Sequence, residues 1–250
     1  MVERLLILGG TTEAAGLARQ AAAAFGDRLQ VTTSLAGRLA PPRNLAGRVR
    51  IGGFGGVAGM VEALRDLRID LVVDATHPFA AVISANAAEA CTTAGVPRLM
   101  LIRPPWQPEP GDNWLEVDTL AAAAEALPDI ARRAFLTVGS GGFGAFRAVA
   151  GVWFLVRLLA PPARSLPLAD FHLVVDRPPF TIEGETALFA EHRIDTLVSK
   201  QSGGPTDAKL AVARETGAKV VMVRRPVPPP GERVETVEAA LAWIRRTISA

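Results

Sequence analysis

Along the chain, short apolar runs alternate with longer stretches whose apolar residues recur at helical spacing. The short runs predict strands over 5–8, 29–34, 49–51, 71–75, 98–102 and 114–117. Helices are predicted between them, over 12–25, 57–67, 79–94 and 120–127. The alternation then restarts, with strands over 134–138, 152–157, 171–175, 196–199 and 219–224. The helices of this second series fall at 143–149, 184–192, 206–216 and 234–247. Apolar strands interleaved with helices predict α/β architecture, with parallel sheets covered on both faces. So many strands fit two sheets better than one. The expected division is a first domain over 1–128 and a second over 129–250, where Pro128 and Asp129 interrupt a helix. The proline-rich stretch 226–231 reads as a stiff spacer that could return the final helix to the first domain.

Composition narrows the function classes. The 250 residues are 49% hydrophobic and 21% charged, with a formal net charge of +2. That is a globular chain with ample core. It has no Lys/Arg run of the kind that binds nucleic acid. The single cysteine, Cys91, cannot form an intrachain disulfide, which fits a cytoplasmic setting. No segment has about 18 unbroken apolar residues, and no signal-peptide pattern opens the chain.

The first strand runs into Gly9-Gly10-Thr11-Thr12-Glu13-Ala14. Glycines permit a tight turn, and a helix starting there aims N–H groups and its positive dipole end at an anion. Backbone N–H groups and the Thr11 and Thr12 hydroxyls could then contact a pyrophosphate. The alternative is an ordinary β-α turn capped by one of the threonines. Thr11 and Ala14 stand where the G-x-G-x-x-G fingerprint has its later glycines. After the second strand, Ser34, Gly37 and Arg38 occur without an acid. An acid there would hold the ribose of NAD, whereas a hydroxyl and a guanidinium suit the 2′-phosphate of NADP. The alternative is a solvated arginine. A Gly52-Gly53-Phe54-Gly55-Gly56 loop follows the third strand.

Asp74-Ala75-Thr76-His77-Pro78-Phe79-Ala80 closes the fourth strand. Pro78 suits the first turn of the next helix, leaving Asp74, Ala75, Thr76 and His77 at the strand end. His77 could move a proton or simply pack. Ser199-Lys200-Gln201-Ser202-Gly203-Gly204 precedes the helix carrying Lys209. It offers a second anion-binding helix start, or a loop with a solvated lysine. The three histidines and one cysteine show no metal-ligand spacing. With no tyrosine in the chain, the Tyr–Lys chemistry of short-chain dehydrogenases has no acid.

These blocks, with Arg103-Pro104-Pro105-Trp106 and the later Lys209 and Gly217, resemble the precorrin-6A reductase family of cobalamin biosynthesis over nearly the whole chain. The resemblance implies two Rossmann-like domains with the active site between them. It implies NADPH-dependent reduction of one double bond in precorrin-6A, giving precorrin-6B. Gly9, Gly10, Thr11, Thr12, Glu13, Ser34, Gly37, Arg38, Asp74, Ala75, Thr76 and Pro78 fall on the cofactor side. His77 and Lys200 are the candidate proton donors. Arg103, Gly139, Ser140, Arg147, Ser199 and Arg224 are candidate contacts for a substrate rich in carboxylates. No metal is implied, and a monomer or small homo-oligomer is expected. A cobalt-precorrin branch of the family stays open, as does a non-catalytic NADP-binding module.

Overall fold

A computed structural model of the chain describes residues 2–37 and 45–248, so Arg38 lies outside the described residues. The first unit contains strands β1 (Glu3–Leu8), β2 (Leu29–Leu35), β3 (Arg48–Ile51), β4 (Leu71–Asp74) and β5 (Arg98–Leu101). Its helices are α1 (Thr12–Phe25), α2 (Gly56–Asp66) and α3 (Ala81–Ala94). The second unit holds β6 (Trp114–Val117), α4 (Leu120–Ile130), β7 (Arg133–Thr137), β8 (Trp153–Leu158), β9 (Phe171–Val175), α5 (Ile182–His192), β10 (Thr196–Lys200), α6 (Ala208–Thr216) and β11 (Lys219–Val223). The chain then returns to the first unit through β12 (Glu232–Val234) and α7 (Val237–Ile248).

The first sheet has the order β12-β5-β4-β1-β2-β3, and every pairing is parallel. β1 sits between β2 and β4, which makes its carboxyl end the switch point where such sheets bind ligands. Alternation along β1 sends Leu5 and Ile7 to one face and Leu6 and Leu8 to the other. Leu5 and Ile7 pack with Leu17 and Ala18 of α1 and with Trp243 and Ile244 of α7. Leu6 and Leu8 pack with Met60 and Leu64 of α2 and with Ala87 and Cys91 of α3.

The second sheet, also all parallel, has the order β6-β11-β10-β7-β8-β9. β7 to β11 therefore repeat the places of β1 to β5. Beside the fifth strand each sheet carries a sixth, and the two are exchanged. β6 follows β5 in the chain but joins the second sheet, and β12 follows β11 but joins the first. The two exchanged strands lead into helices through related sequences, Val117-Asp118-Thr119-Leu120 and Val234-Glu235-Thr236-Val237. Each threonine hydroxyl accepts the N–H three residues on, from Ala122 at 3.0 Å and Ala239 at 3.2 Å.

This exchange corrects the expected boundary at residue 128. The units divide after Pro104 and again after Arg225. Pro128 lies within the last turn of α4 rather than in a linker. The stretch before it belongs to the second unit because β6 pairs β11. The expected helix at 143–149 is only a short 3-10 turn, Phe143–Phe146, with both phenylalanines buried. Among the described residues no helix is long and apolar enough to cross a membrane.

Candidate functional site

The turn after β1 is shaped by close approach to β2. Gly9 N–H donates to the Ser34 carbonyl at 2.9 Å. A Cβ on Gly9 would lie 2.8 Å from Thr33 Cγ2, and Gly10 has φ 111°. Thr11 caps α1: its Oγ1 accepts from Ala14 N–H at 3.1 Å and donates its proton to the Ala75 carbonyl at 2.6 Å. That hydroxyl is committed inside the protein, so it cannot donate to a phosphate as the sequence suggested. It ties the first turn to the loop after β4 instead. Ala14 N–H is taken by that cap and Ala15 N–H by the Thr11 carbonyl, which leaves the N–H groups of Thr12 and Glu13 for an anion. The buried Ala14 fits where a third glycine would stand.

Arg103, expected to contact the substrate, is engaged by Glu13. Its Nη1 pairs with Glu13 Oε2 at 2.9 Å and Oε1 at 3.2 Å, within the first unit. Glu13 lies in the first turn of α1, where an unmatched carboxylate would repel a phosphate. Arg103 matches that charge and stands beside the first turn of α1.

At the end of β2, Ser34 is buried and Gly37 has φ 76°. Ser34 Oγ accepts from Arg50 of β3 at 3.3 Å. Arg50 was not singled out in the sequence. The signal that could have found it is a charge one residue before the end of a short strand, followed by a glycine-rich loop.

At the end of β4, Asp74 is 1% exposed. Its Oδ1 accepts from Thr76 N–H at 3.1 Å and from the Thr76 hydroxyl at 2.7 Å, and Thr76 Oγ1 lies 3.2 Å from Ser84 Oγ. Asp74 Oδ2 has no hydrogen-bond partner among the described residues. The carboxylate thus fixes the start of the His77 loop. Pro78 does not open α3. Ala80 N–H donates to the His77 carbonyl at 2.7 Å, closing a turn in which proline takes its favoured second place. α3 starts afterwards, at Ala81. His77 Nδ1 accepts from Phe79 N–H at 3.2 Å. A neutral His77 therefore carries its proton on Nε2. A small pocket here is lined by Thr76, His77, Ser84, Met100 and Val227 of the returning chain.

In the second unit, the turn after β7 contains Gly139, with φ 77°, and the exposed Ser140. Arg147 follows the 3-10 turn and is exposed. Ser199, expected to contact the substrate, is 1% exposed, and its hydroxyl donates to the Lys200 carbonyl at 3.3 Å. Lys200 ends β10 half-buried. Gln201 grips Trp106, with Oε1 accepting Trp106 N–H and Nε2 donating to its carbonyl, both at 2.9 Å. Arg225 donates to the carbonyls of Gln201 and Ser202 at 2.6 and 3.0 Å. The loop that follows Lys200 is thereby held to both ends of the unit.

Arg224 pairs with Asp118 at 2.9 Å and Glu116 at 3.2 Å. Those carboxylates match its charge and raise its pKa above the ordinary arginine value. The helix after 199–204 is not an anion site, because α6 starts only at Ala208 with Asp207 at its N-cap, where a negative charge already stands. Lys209 is buried, donating to the Thr206 carbonyl at 2.8 Å with Nζ 4.7 Å from the Trp106 ring centre. Among the described residues no group of three or more His, Cys, Asp or Glu could hold a metal ion.

The model of the family described as Precorrin-6x reductase CbiJ/CobK matches residues 4–245. The chain belongs to that family. It is 50% identical over 243 residues to the precorrin-6A reductase of Rhodococcus erythropolis, covering 96% of this chain and 97% of the relative. A cobalt-precorrin-6A reductase of Salmonella typhimurium is 30% identical over 247 residues, covering 90% and 88%. Among solved structures, one titled CobK precorrin-6A reductase superposes with a TM-score of 0.91 at 41% identity, covering 98% of this chain and 97% of that one. Membership in the precorrin-6x reductase family joins the fold and the switch-point turn to one class of oxidoreductase.

Proposed function

We propose that this chain is an NADPH-dependent precorrin-6A reductase that acts on the metal-free macrocycle. The observation that carries the reading is a dinucleotide-type turn at the switch point of a chain from this family. The residues present fit the cofactor: Gly9 and Gly10 leave a cradle without side chains, and α1 presents N–H groups to it. The preference for NADP rests on the acid-free end of β2, where Ser34, Gly37 and Arg38 stand. The metal-free substrate is favoured because the relatives named for it are the more similar ones.

When bound, NADPH supplies the hydride. The chain's own residues hold the diphosphate, match the Glu13 charge through Arg103 and fix the His77 loop through Asp74 and Thr76. Reduction of a double bond also needs a proton on the neighbouring carbon. His77, with its proton on Nε2, and Lys200 are the proposed donors. Ser140 and Arg147, at the carboxyl edge of the second sheet, are proposed to contact the substrate's carboxylates.

The test is loss of NADPH absorbance in stopped flow on mixing with precorrin-6A. One NADPH consumed per macrocycle is expected, with slower turnover of the cobalt form. No consumption with either macrocycle would refute the proposal, and faster turnover of the cobalt form would reverse the substrate assignment.

A further inference from the structure

Ser34 and Arg50 are directly paired neighbours in the parallel ladder of β2 and β3. Their side chains meet at the carboxyl edge of the sheet, on the side where an adenosine ribose lies in folds of this order. Arg50 Nη1 donates to Ser34 Oγ at 3.3 Å and to the Gly52 carbonyl at 2.7 Å, and Nη2 donates to the Gly53 carbonyl at 2.8 Å. The guanidinium carbon lies 3.9 Å from the centre of the Phe54 ring.

All of these partners are neutral. Among the described residues no carboxylate pairs with Arg50, in contrast to Arg103 and Arg224. Of the five N–H donors of a guanidinium, Nε–H and one on Nη2 have no partner among the described residues. A cation held rigidly by carbonyls and a ring, with adjacent donors unused, is prepared to grip two oxygens of one phosphate.

We infer that Arg50 reads the adenosine 2′-phosphate of NADPH, with Ser34 beside it and Phe54 holding the guanidinium plane. The inference rests on the NADPH reading above and adds a specificity residue to it. The glycines after β3 gain a purpose: Gly52 and Gly53 bring their carbonyls to the guanidinium without side chains in the way.

The test uses calorimetric titration of wild type, Arg50→Gln and Arg50→Lys with 2′,5′-ADP and with 5′-AMP. Wild type should bind 2′,5′-ADP more tightly than 5′-AMP. Arg50→Gln should weaken 2′,5′-ADP about 10- to 100-fold and leave 5′-AMP nearly unchanged, while Arg50→Lys should retain part of the preference. An Arg50→Gln protein that keeps the wild-type preference would overturn the role of Arg50 and leave the NADPH reading standing. Equal weakening of both ligands in both variants would show that Arg50 only braces the glycine loop, and would also overturn it. Wild type that does not distinguish the two ligands would remove the NADPH reading, and this inference with it.

Discussion

After β1 the chain turns through Gly9 and Gly10 straight into the 14 residues of α1. After β7, at the corresponding place in the second sheet, it turns through the glycines at 139–142 into a 3-10 turn of 4 residues. There a Cβ on Gly142 would lie 2.9 Å from Val138 Cγ2 and 3.1 Å from Leu120 Cδ1, so that glycine serves packing. The helix effect on an anion needs aligned peptide dipoles and N–H groups left over at a true helix start. Only the first unit offers that at its switch point. A shared strand order therefore does not confer a shared ligand, and the length of the element after the first turn separates the two units.

The comparison can be broken most forcefully inside the second unit. Arg157 ends up beneath Phe180 and pairs with Glu185, and both charged residues are buried. Glu185→Gln should lower unfolding free energy by about 3–5 kcal/mol by leaving a buried charge unmatched, read by urea denaturation. A loss below about 1 kcal/mol would mean that the pair behaves as a surface contact. Gly139→Ala places a side chain at positive φ with nothing within 4 Å. It should cost about 1–2 kcal/mol of stability and leave NADPH affinity unchanged; a matching fall in that affinity would show the second turn touching the dinucleotide.

Smaller effects sharpen the exchange of the sixth strands. Thr119→Ala and Thr236→Ala each remove an N-cap and should each cost about 1 kcal/mol, checked by thermal melts. A null result at one position only would show that the two helix starts are not equivalent. His192 gives a pH-dependent effect confined to the second unit. Burial lowers its pKa from the ordinary 6.5, with His172 and Arg133 acting in the same direction and Glu191 opposing. A lowered folded value means that its contribution is present above pH 6.5 and is lost as pH falls through that value. The urea midpoint should thus drop between pH 7 and 5 less in His192→Gln than in wild type. In the first unit, burial pushes the Cys91 thiol up to about 11. Native protein at pH 8 should resist thiol reagents that label the urea-unfolded chain, and prompt labelling would show the core opening.

The strand–helix alternation was legible because buried parallel strands read as dense apolar runs; α1 and β9 have the predicted bounds. β12 was hidden because three residues after a proline-rich stretch carry no periodicity. The sheet to which β6 belongs could not be read locally, since strand partnership depends on residues about a hundred positions away. At the site, the glycine turn and the Asp74 loop were legible as residue types at strand ends. The committed hydroxyls of Thr11 and Ser199 and the matched charges of Arg103 and Arg224 were not, because each depends on a partner across a fold. Arg50 escaped notice because it looked like one more strand residue.

The central claim is that one dinucleotide site exists per chain and lies on the first turn. Titration with NADPH of wild type and Gly9→Val tests it most directly, the valine colliding with Thr33 beneath the turn. One site in wild type, with at least about 100-fold weaker binding in a Gly9→Val protein that still melts cooperatively, is the predicted result. Two sites per chain, or undiminished binding in that variant, would contradict it.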